Sequence, residues 1–190
     1  MGQISLPDFF KYFKGTRNQL EAVVLLEKIM PASLLQNDSS WVELYRTPDD
    51  PPEGFNPDSP FSHKITEHFT YGELCNGEEA RRFTNQGQCD IALSLCLFLE
   101  KARCQFGQIK ITSGHRPPAI NAAIGGAAQS EHLFQEGCGA VDAYPVNGCC
   151  KQFQDWVDQN WPYSVGYGAD YRGFVHIGRR AGNPRVRWDY

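Results

Sequence analysis

Apolar residues along the chain recur at spacings that distinguish helices from strands. Over residues 6–35 they fall close to a helical period, which predicts two helices broken near Gly15. Over residues 36–60 the composition shifts to Asp, Ser, Pro and Asn, which indicates a linker. We therefore expect a helical leader and linker over residues 1–60 and the main domain over residues 61–190. The alternative for the linker is an irregular arm packed on that domain.

The second part of the chain mixes helical and strand patterns. Residues 89–104 are apolar over most of a helical circumference, which predicts a central helix, and residues 151–160 also have a helical pattern. Pro117 stands where a first-turn proline would begin a short helix. Short apolar runs predict strands over residues 108–112, 138–144, 174–178 and, at a sheet edge, 185–188. This interspersion predicts an α+β fold with a mostly antiparallel β-sheet flanked by helices.

Two of the predicted strands each carry one side chain of the metal-ligand type. In the last long strand Val175 and Ile177 alternate with His176, so the period of two places His176 on the face opposite the core. The same alternation over residues 140–144 turns Asp142 away from the core. Both side chains are therefore expected to point into a site or into solvent.

A third ligand-type residue, His132, follows a Gly-rich turn and precedes the Asp142 strand by ten positions. Two histidines and one carboxylate form a donor set for catalytic Zn²⁺ that leaves a fourth coordination position open for water. The spacing alone fits equally well histidines that are hydrogen-bonded at the surface or in the core. The residues by themselves leave both interpretations open.

Several ordered blocks of sequence extend this pattern beyond the three residues. They are Glu67-His68-Phe69-Thr70, Glu73-Leu74, the run from Ile109 to Pro118, Asn121, Gly125-Gly126, Ser130-Glu131-His132, Gly139-Ala140-Val141-Asp142 and Gly173-Phe174-Val175-His176-Ile177. Together they resemble the D-Ala-D-Ala carboxypeptidase family of zinc peptidases, whose relatives include VanX-type dipeptidases, phage peptidoglycan endopeptidases and the zinc domain of Hedgehog. The resemblance covers about residues 64–180. The leader resembles the one on some cyanobacterial or phage proteins of this type.

The resemblance implies a role for individual residues. His132, Asp142 and His176 match the three zinc ligands of the family. Arg116 matches the arginine that engages the carbonyl or carboxylate of the substrate, a task that suits a planar guanidinium. Ser130 matches a polar position near the substrate. His115 replaces a family tyrosine and is expected to contribute to substrate binding or to hydrogen-bond a ligand.

The chain also departs from the family pattern. The spacing from His132 to the aspartate is ten where seven is usual, because residues 135–138 enlarge the turn. The family commonly places its general base three residues before the last histidine, where this chain has Gly173. Asp170 is therefore the first candidate for the catalytic base that hydrolysis requires, followed by Glu131 and Glu136.

Charge and hydropathy limit the kinds of partner that we expect for this protein. The net charge of −4 comes without a basic patch, so nucleic acid is not expected as a partner. No apolar run approaches the length of a membrane span, and the first residues lack the features of a secretory signal. We expect a monomer that stays in the cytoplasm until it is released, as a phage endolysin reaches the cell wall after lysis.

The seven cysteines are an odd number, so at least one thiol is expected to be free in a monomer. Buried thiols in a reducing cytosol are one interpretation, especially for Cys96 and Cys104. Cys138 lies in the enlarged turn, where its thiolate could replace a zinc ligand or pair with Cys149 or Cys150 outside the cell.

These observations predict a zinc-dependent peptidase that hydrolyses a D-amino-acid-containing peptide bond of peptidoglycan, as a carboxypeptidase or an endopeptidase. The alternative from another class is a non-catalytic, zinc-bearing module that recognises cell wall or peptide. A third is an intracellular amidase or peptidase that acts on another small substrate.

Overall fold

The computed structural model describes residues 54–135 and 137–190. The predicted helical leader, most of the predicted linker, and Glu136 lie outside the described residues. Helices and strands are interspersed along the described chain. In order they are helix α1 (Tyr71–Cys75), a 3-10 turn (Glu79–Arg81), α2 (Gln86–Phe106), β1 (Ile109–Ser113), α3 (Pro118–Ala123), a 3-10 turn (Glu131–Leu133), β2 (Gly139–Pro145), α4 (Cys150–Asn160), β3 (Ser164–Tyr167), β4 (Val175–Arg179) and β5 (Val186–Asp189).

The five strands form one sheet in the order β1-β2-β4-β3-β5. The first four of these are antiparallel to their neighbours, and β5 runs parallel to β3 at the edge. The fold is therefore α+β with a mostly antiparallel sheet flanked by helices, as predicted. In the register between β2 and β4, Asp142 stands directly opposite His176. The sheet itself thus brings two of the predicted ligands together.

The predicted central helix is confirmed as α2. It begins after Asn85, whose side chain accepts a hydrogen bond from the backbone N–H of Gln88 at 3.1 Å. It ends at Phe106, and the following Gly107 has a positive φ that favours glycine. Its apolar side chains and those of α4 cover one face of the sheet. The fully buried core residues on these elements include Leu95, Leu99, Phe153, Val157, Val141, Ala143, Val175 and Ile177. The predicted alternation of the two central strands therefore holds for their apolar positions.

Three details of the fold differ from the sequence prediction. Strand β3 was not predicted, because it is only four residues long and contains Gly166, and its pairing with β4 and β5 is not visible in the local pattern. Helix α1, with five residues, is too short for a clear period. Helix α3 begins at Pro118, one residue after the proline that we expected in its first turn.

Residues at the end of the predicted linker pack on the main domain. The ring of Phe55 stacks on His63 at 5.5 Å between centroids and meets Tyr71 edge-on at 5.1 Å. Arg82 donates a hydrogen bond to the carbonyl of Ser59 at 2.7 Å. The boundary near residue 60 stays a prediction, because the chain before residue 54 is not described. Within the described ranges, no helix has the length and apolar character needed to cross a bilayer.

Candidate metal centre

The structure brings His132, Asp142 and His176 into one cluster. His132 lies in the 3-10 turn before β2, and the other two residues face each other on β2 and β4. One potential ligand atom from each residue lies within 4.8 Å of the others. Their relative exposures are 1%, 6% and 4%, so these side chains point into a buried site rather than into solvent. This placement makes them candidate ligands of one metal ion.

Backbone hydrogen bonds fix the orientation of His132. Its Nδ1 donates to the carbonyl of Gly114 at 2.8 Å, and its own carbonyl accepts from the backbone N–H of Arg116 at 2.8 Å. Ser130 caps the turn, since its hydroxyl accepts from the backbone N–H of His132 at 3.3 Å. Gly114 is required here because a Cβ would lie 2.3 Å from the carbonyl oxygen of Leu74. The end of strand β1, helix α1 and the 3-10 turn therefore jointly fix the orientation of the His132 imidazole.

The unpaired atom at the centre of the cluster fits a cation. With its proton on Nδ1, the ring of His132 presents a lone pair at Nε2, and this buried atom has no hydrogen-bond partner among the described residues. Nε2 faces a carboxylate oxygen of Asp142 at 3.2 Å. Two acceptor atoms at this distance repel each other unless a positive charge lies between them. The donor set of two imidazoles and one carboxylate is one that Zn²⁺ accepts.

The electrostatics of the cluster agree with this interpretation. Burial lowers the pKa of His132, which favours its neutral, metal-binding form. Burial opposes the charge of Asp142, but its contacts with the two histidines outweigh burial and lower its pKa. Burial also opposes the charge of His176, yet the carboxylates of Asp142 and Glu131 raise its pKa. The two carboxylates therefore favour the charged form of the His176 ring against the effect of burial.

Glu131 is a fourth buried ionisable residue at the centre. One carboxylate oxygen accepts from the hydroxyl of Ser164 at 2.7 Å and contacts Nε2 of His176 at 3.1 Å. The other oxygen accepts from the guanidinium of Arg180. Burial opposes the charge of Glu131, but the contacts with His176 and Arg180 prevail and lower its pKa. Both oxygens are therefore engaged in hydrogen bonds.

Arg116 lies beside the cluster, with its backbone N–H hydrogen-bonded to the carbonyl of His132. Its side chain is half-buried, and its Nε is a buried donor with no hydrogen-bond partner in the described part of the chain. Burial lowers the pKa of Arg116, and the nearby negative charge of Asp142 acts in the opposite direction. An unpaired guanidinium donor at the edge of a metal cluster can bind a carboxylate or a carbonyl group.

His115 occupies a different environment from its neighbour. It is only 2% exposed, its Nδ1 donates to the carbonyl of Arg81 at 2.6 Å, and its ring contacts Phe83 and Phe134 at centroid distances of 5.1 and 5.5 Å. It contributes to the wall of a cavity of about 730 Å³. The structure thus shows His115 hydrogen-bonded to backbone, and substrate binding by this residue stays a prediction.

The structure does not bring Asp170 to the predicted ligands. Asp170 is exposed on the turn after β3 and lines a surface cavity with Lys151, Asp155 and Asp158, and none of the three ligands lines that cavity. Glu136, another candidate base, lies outside the described residues. Gly173 stands in a left-handed turn, and its backbone N–H donates to the carbonyl of Gly168 at 2.9 Å.

The enlarged turn before β2 is closed locally. The backbone N–H of Cys138 donates to the carbonyl of Gln135 at 2.8 Å, and Phe134 at the start of the turn adopts a left-handed conformation. The thiol sulfur of Cys138 accepts from the backbone N–H of Ala181 at 3.3 Å and is not part of the ligand cluster. All seven cysteines are free thiols, and Cys104 is exposed, contrary to our expectation that it would be buried.

Three residues at the site were not identified from the sequence. Ser164 and Arg180 hold Glu131, and the indole of Trp188 on β5 contacts the ring of His176 at a centroid distance of 5.1 Å. The guanidinium of Arg180 also lies over Trp188 at 5.2 Å. Their roles depend on strand pairing between β4, β3 and β5, for which the local sequence carries no signal.

A buried cluster of two histidines and an aspartate, beside an arginine whose Nε lacks a hydrogen-bond partner in the described part of the chain, has the donor set of a metallopeptidase site. A family model described as Peptidase M15 matches residues 67–178, which is more than half of the chain and includes all three ligand candidates. The chain belongs to the peptidase M15 family, and the resemblance to D-Ala-D-Ala carboxypeptidase-type zinc peptidases is confirmed. No curated protein matches the chain.

Proposed function

We propose that the protein is a zinc-dependent peptidase that hydrolyses a D-amino-acid-containing peptide bond of peptidoglycan, as a carboxypeptidase or an endopeptidase. Membership of the family supports a metallopeptidase. The identity of the substrate and of the bond that is cut is what we propose in addition. The observation that carries the proposal is the unpaired Nε2 of His132, which faces the carboxylate of Asp142 in a buried cluster with His176.

His132, Asp142 and His176 would hold the zinc ion through two imidazole nitrogens and a carboxylate oxygen. When bound there, zinc supplies Lewis-acid chemistry suited to peptide-bond hydrolysis. Ser130 caps the turn of His132, and a role for Ser130 near the substrate is part of the proposal. The protein's contribution is a rigid, buried donor set that is ready before substrate arrives.

Arg116 is the proposed substrate-binding cation. Its buried Nε lacks a partner within the described ranges, and its backbone is tied to His132. A terminal carboxylate of a peptide, or the carbonyl beside the scissile bond, would satisfy this donor and place the substrate next to the ligands. Two parallel hydrogen bonds from one guanidinium would also fix the substrate's orientation.

A second candidate function is a zinc-bearing module that recognises cell-wall peptide without cutting it. Hydrolysis requires a group that takes a proton from water and passes it to the leaving amine. Asp170 is exposed away from the ligands, and both oxygens of Glu131 are already hydrogen-bonded. The positions of these two carboxylates are the observations that favour the module. Asp170 stays the base predicted from the sequence, although its exposed position argues against that role.

Digestion of defined muropeptides, followed by mass spectrometry of the products, tests the proposal. We expect the wild-type protein to release a product whose mass identifies a bond to a D-amino acid, and Asp142→Ala to release none. Binding of the muropeptide without any product would favour the recognition module. Cleavage of other small peptides but not of muropeptides would contradict the proposed substrate. We also propose that the protein acts at the cell wall after release by lysis, and that it is a monomer.

A further inference from the structure

We propose that Glu131 is a positioning residue of the metal centre. It accepts the Nε2–H of His176 and so turns Nδ1 of this ring toward Asp142 and the ion. The inference rests on the proposed zinc site, which it deepens by assigning the tautomer of one ligand and the group that selects it. The same geometry argues against Glu131 as the base that we considered from the sequence.

The two nitrogens of His176 face two different carboxylates. Nδ1 lies 2.9 Å from an oxygen of Asp142, and Nε2 lies 3.1 Å from an oxygen of Glu131. Asp142 is also the residue that Nε2 of His132 faces, so the metal position is on the Nδ1 side of the His176 ring. A neutral imidazole carries one proton, and an acceptor at Nε2 keeps that proton there. The lone pair of Nδ1 is then available to the ion.

Glu131 is itself held from two sides. The hydroxyl of Ser164 on β3 donates to the oxygen that faces His176, at 2.7 Å, and Arg180 donates to the other oxygen. The residue is 6% exposed. A buried carboxylate with both oxygens paired to charged or hydroxyl donors is fixed in position and compensated in charge. Such a group orients a neighbouring ring well, and both of its oxygens already have protein partners.

Gly178 provides the space that Glu131 occupies. On β4 it stands two residues after His176, on the same face of the sheet, and it pairs with Ser164 of β3 and Ala140 of β2. A Cβ at Gly178 would lie 1.7 Å from the Glu131 oxygen and 2.9 Å from Nε2 of His176. The absence of a side chain at Gly178 therefore leaves the space through which the Glu131 carboxylate reaches Nε2 of His176.

A metal-ligating histidine commonly donates its second ring N–H to a carboxylate or carbonyl, which fixes its tautomer and raises its basicity as a ligand. His132 already follows this rule through Gly114, since Nδ1 donates and Nε2 is left as the ligand atom. Glu131 gives His176 the matching arrangement with the two nitrogens exchanged. The tautomer of each histidine then leaves one ring nitrogen with a free lone pair for the same ion.

The first test uses the full-length wild-type protein loaded with zinc. Nitrogen-15 NMR of the histidine rings reports which nitrogen carries the proton. We expect His176 to keep its proton on Nε2 and to bind zinc through Nδ1. A proton on Nδ1, with zinc on Nε2, would overturn the proposal, and this measurement does not depend on any variant folding.

The second test measures zinc affinity by competition with a chelating dye. Glu131→Ala is expected to weaken zinc binding about 10- to 100-fold, the usual effect of losing an outer-shell partner of a ligand. Glu131→Gln keeps a neutral acceptor and should lose less. Circular dichroism establishes that each variant is folded.

Glu100→Gln is the matched control. Glu100 is equally buried, and it also accepts from a histidine, Nδ1 of His68 at 2.8 Å, but it lies outside the cluster of ligands. This variant should keep wild-type zinc affinity. Folded Glu131→Ala with wild-type affinity would overturn the positioning role alone, provided that the wild-type protein binds zinc and cleaves muropeptide. A wild-type protein that binds no zinc would overturn the proposed function as well.

Discussion

Two buried glutamates of this protein each contact a histidine, and the surroundings of the two pairs differ. Glu131 contacts His176 inside the ligand cluster, whereas Glu100 on α2 accepts from Nδ1 and the backbone N–H of His68 and from the hydroxyl of Thr66. Around Glu131 all the histidine rings are buried. His68, in contrast, has a side chain that is 42% exposed.

The difference lies in which atom is left unpaired. Near Glu100 the buried atom without a hydrogen bond is Nε of Arg103, a cationic donor that lies 3.8 Å from the Glu100 carboxylate. In the ligand cluster it is Nε2 of His132, a lone pair that faces another acceptor. The first arrangement already places a cation beside the carboxylate, whereas the second places two acceptor atoms opposite each other and fits an added cation. A Glu–His contact therefore indicates a metal centre only where a ligand atom remains unpaired.

Removal of the unpaired ligand atom should have the largest effect. His132→Ala deletes Nε2, so we expect zinc bound after dialysis to fall from about one ion per chain to trace levels, with loss of muropeptide cleavage. Elemental analysis gives the metal content. His68→Ala is the control from the other pair and should retain zinc. Equal zinc content in the two variants would contradict the difference between the two regions.

The next largest effect is expected at Arg116. Arg116→Ala removes the proposed substrate cation, which corresponds to the loss of about 1.5–3 kcal/mol from a charge-assisted hydrogen bond. The value of kcat/KM should fall by roughly 10- to 150-fold while zinc content stays at the wild-type level. Arg116→Lys should recover only part of the loss, because an ammonium cannot bind a carboxylate through a planar fork. Loss of zinc in either variant would show that Arg116 supports the metal site itself.

The stability of the metal-free protein should depend on pH through the ligand cluster. The pKa of Asp142 is lowered in the folded state. Its contribution to stability is therefore fully present above the unfolded-state pKa of about 4, and it is lost as the pH falls through the folded-state pKa. Urea unfolding at several pH values, with Asp142→Asn as the reference, measures this contribution. The difference between wild type and variant should shrink on acidification below about pH 4. A constant difference would contradict the lowered pKa.

Glu100 should affect stability without affecting the metal. Glu100→Ala leaves donors of His68 and Thr66 without their acceptor, at a cost of about 1–3 kcal/mol in the free energy of unfolding. Chemical denaturation measures the cost, and dye competition measures zinc affinity. A folded Glu100→Ala protein with weakened zinc binding would show that the two glutamates are coupled.

Asp170 should have the smallest effect. Its exposed position, away from the ligands, predicts that Asp170→Ala changes muropeptide turnover by less than about twofold, as is usual for a surface residue outside the site. Steady-state kinetics on one defined muropeptide provides the measurement. A collapse of turnover with wild-type zinc content would instead support Asp170 as the general base predicted from the sequence.

The sheet, and the three residues that the fold brings into one cluster, could be predicted from the sequence for physical reasons. Alternation along β2 and β4 separates Asp142 and His176 from their apolar neighbours, and the family blocks add His132. The long apolar pattern of α2 gives a central helix. These signals are local in the chain or ordered along it, so they are visible before the fold is known.

The environment of Glu131 could not be predicted in this way. It depends on Ser164, Arg180 and the missing Cβ of Gly178, which lie more than 30 residues along the chain and meet Glu131 only through strand pairing. Strand β3, which carries Ser164, has no local signal of its own. The sequence therefore suggested a solvated carboxylate at Glu131, and the structure shows a buried one with a hydrogen bond to each oxygen.

The most direct test of the central claim is muropeptide digestion by the purified protein as isolated, after chelation, and after zinc is restored. The account predicts about one zinc per chain, a product mass that identifies a bond to a D-amino acid, loss of that product on chelation, and its return with zinc. A folded protein that forms the same product without metal, or that holds zinc and binds muropeptide without cutting it, would contradict the account.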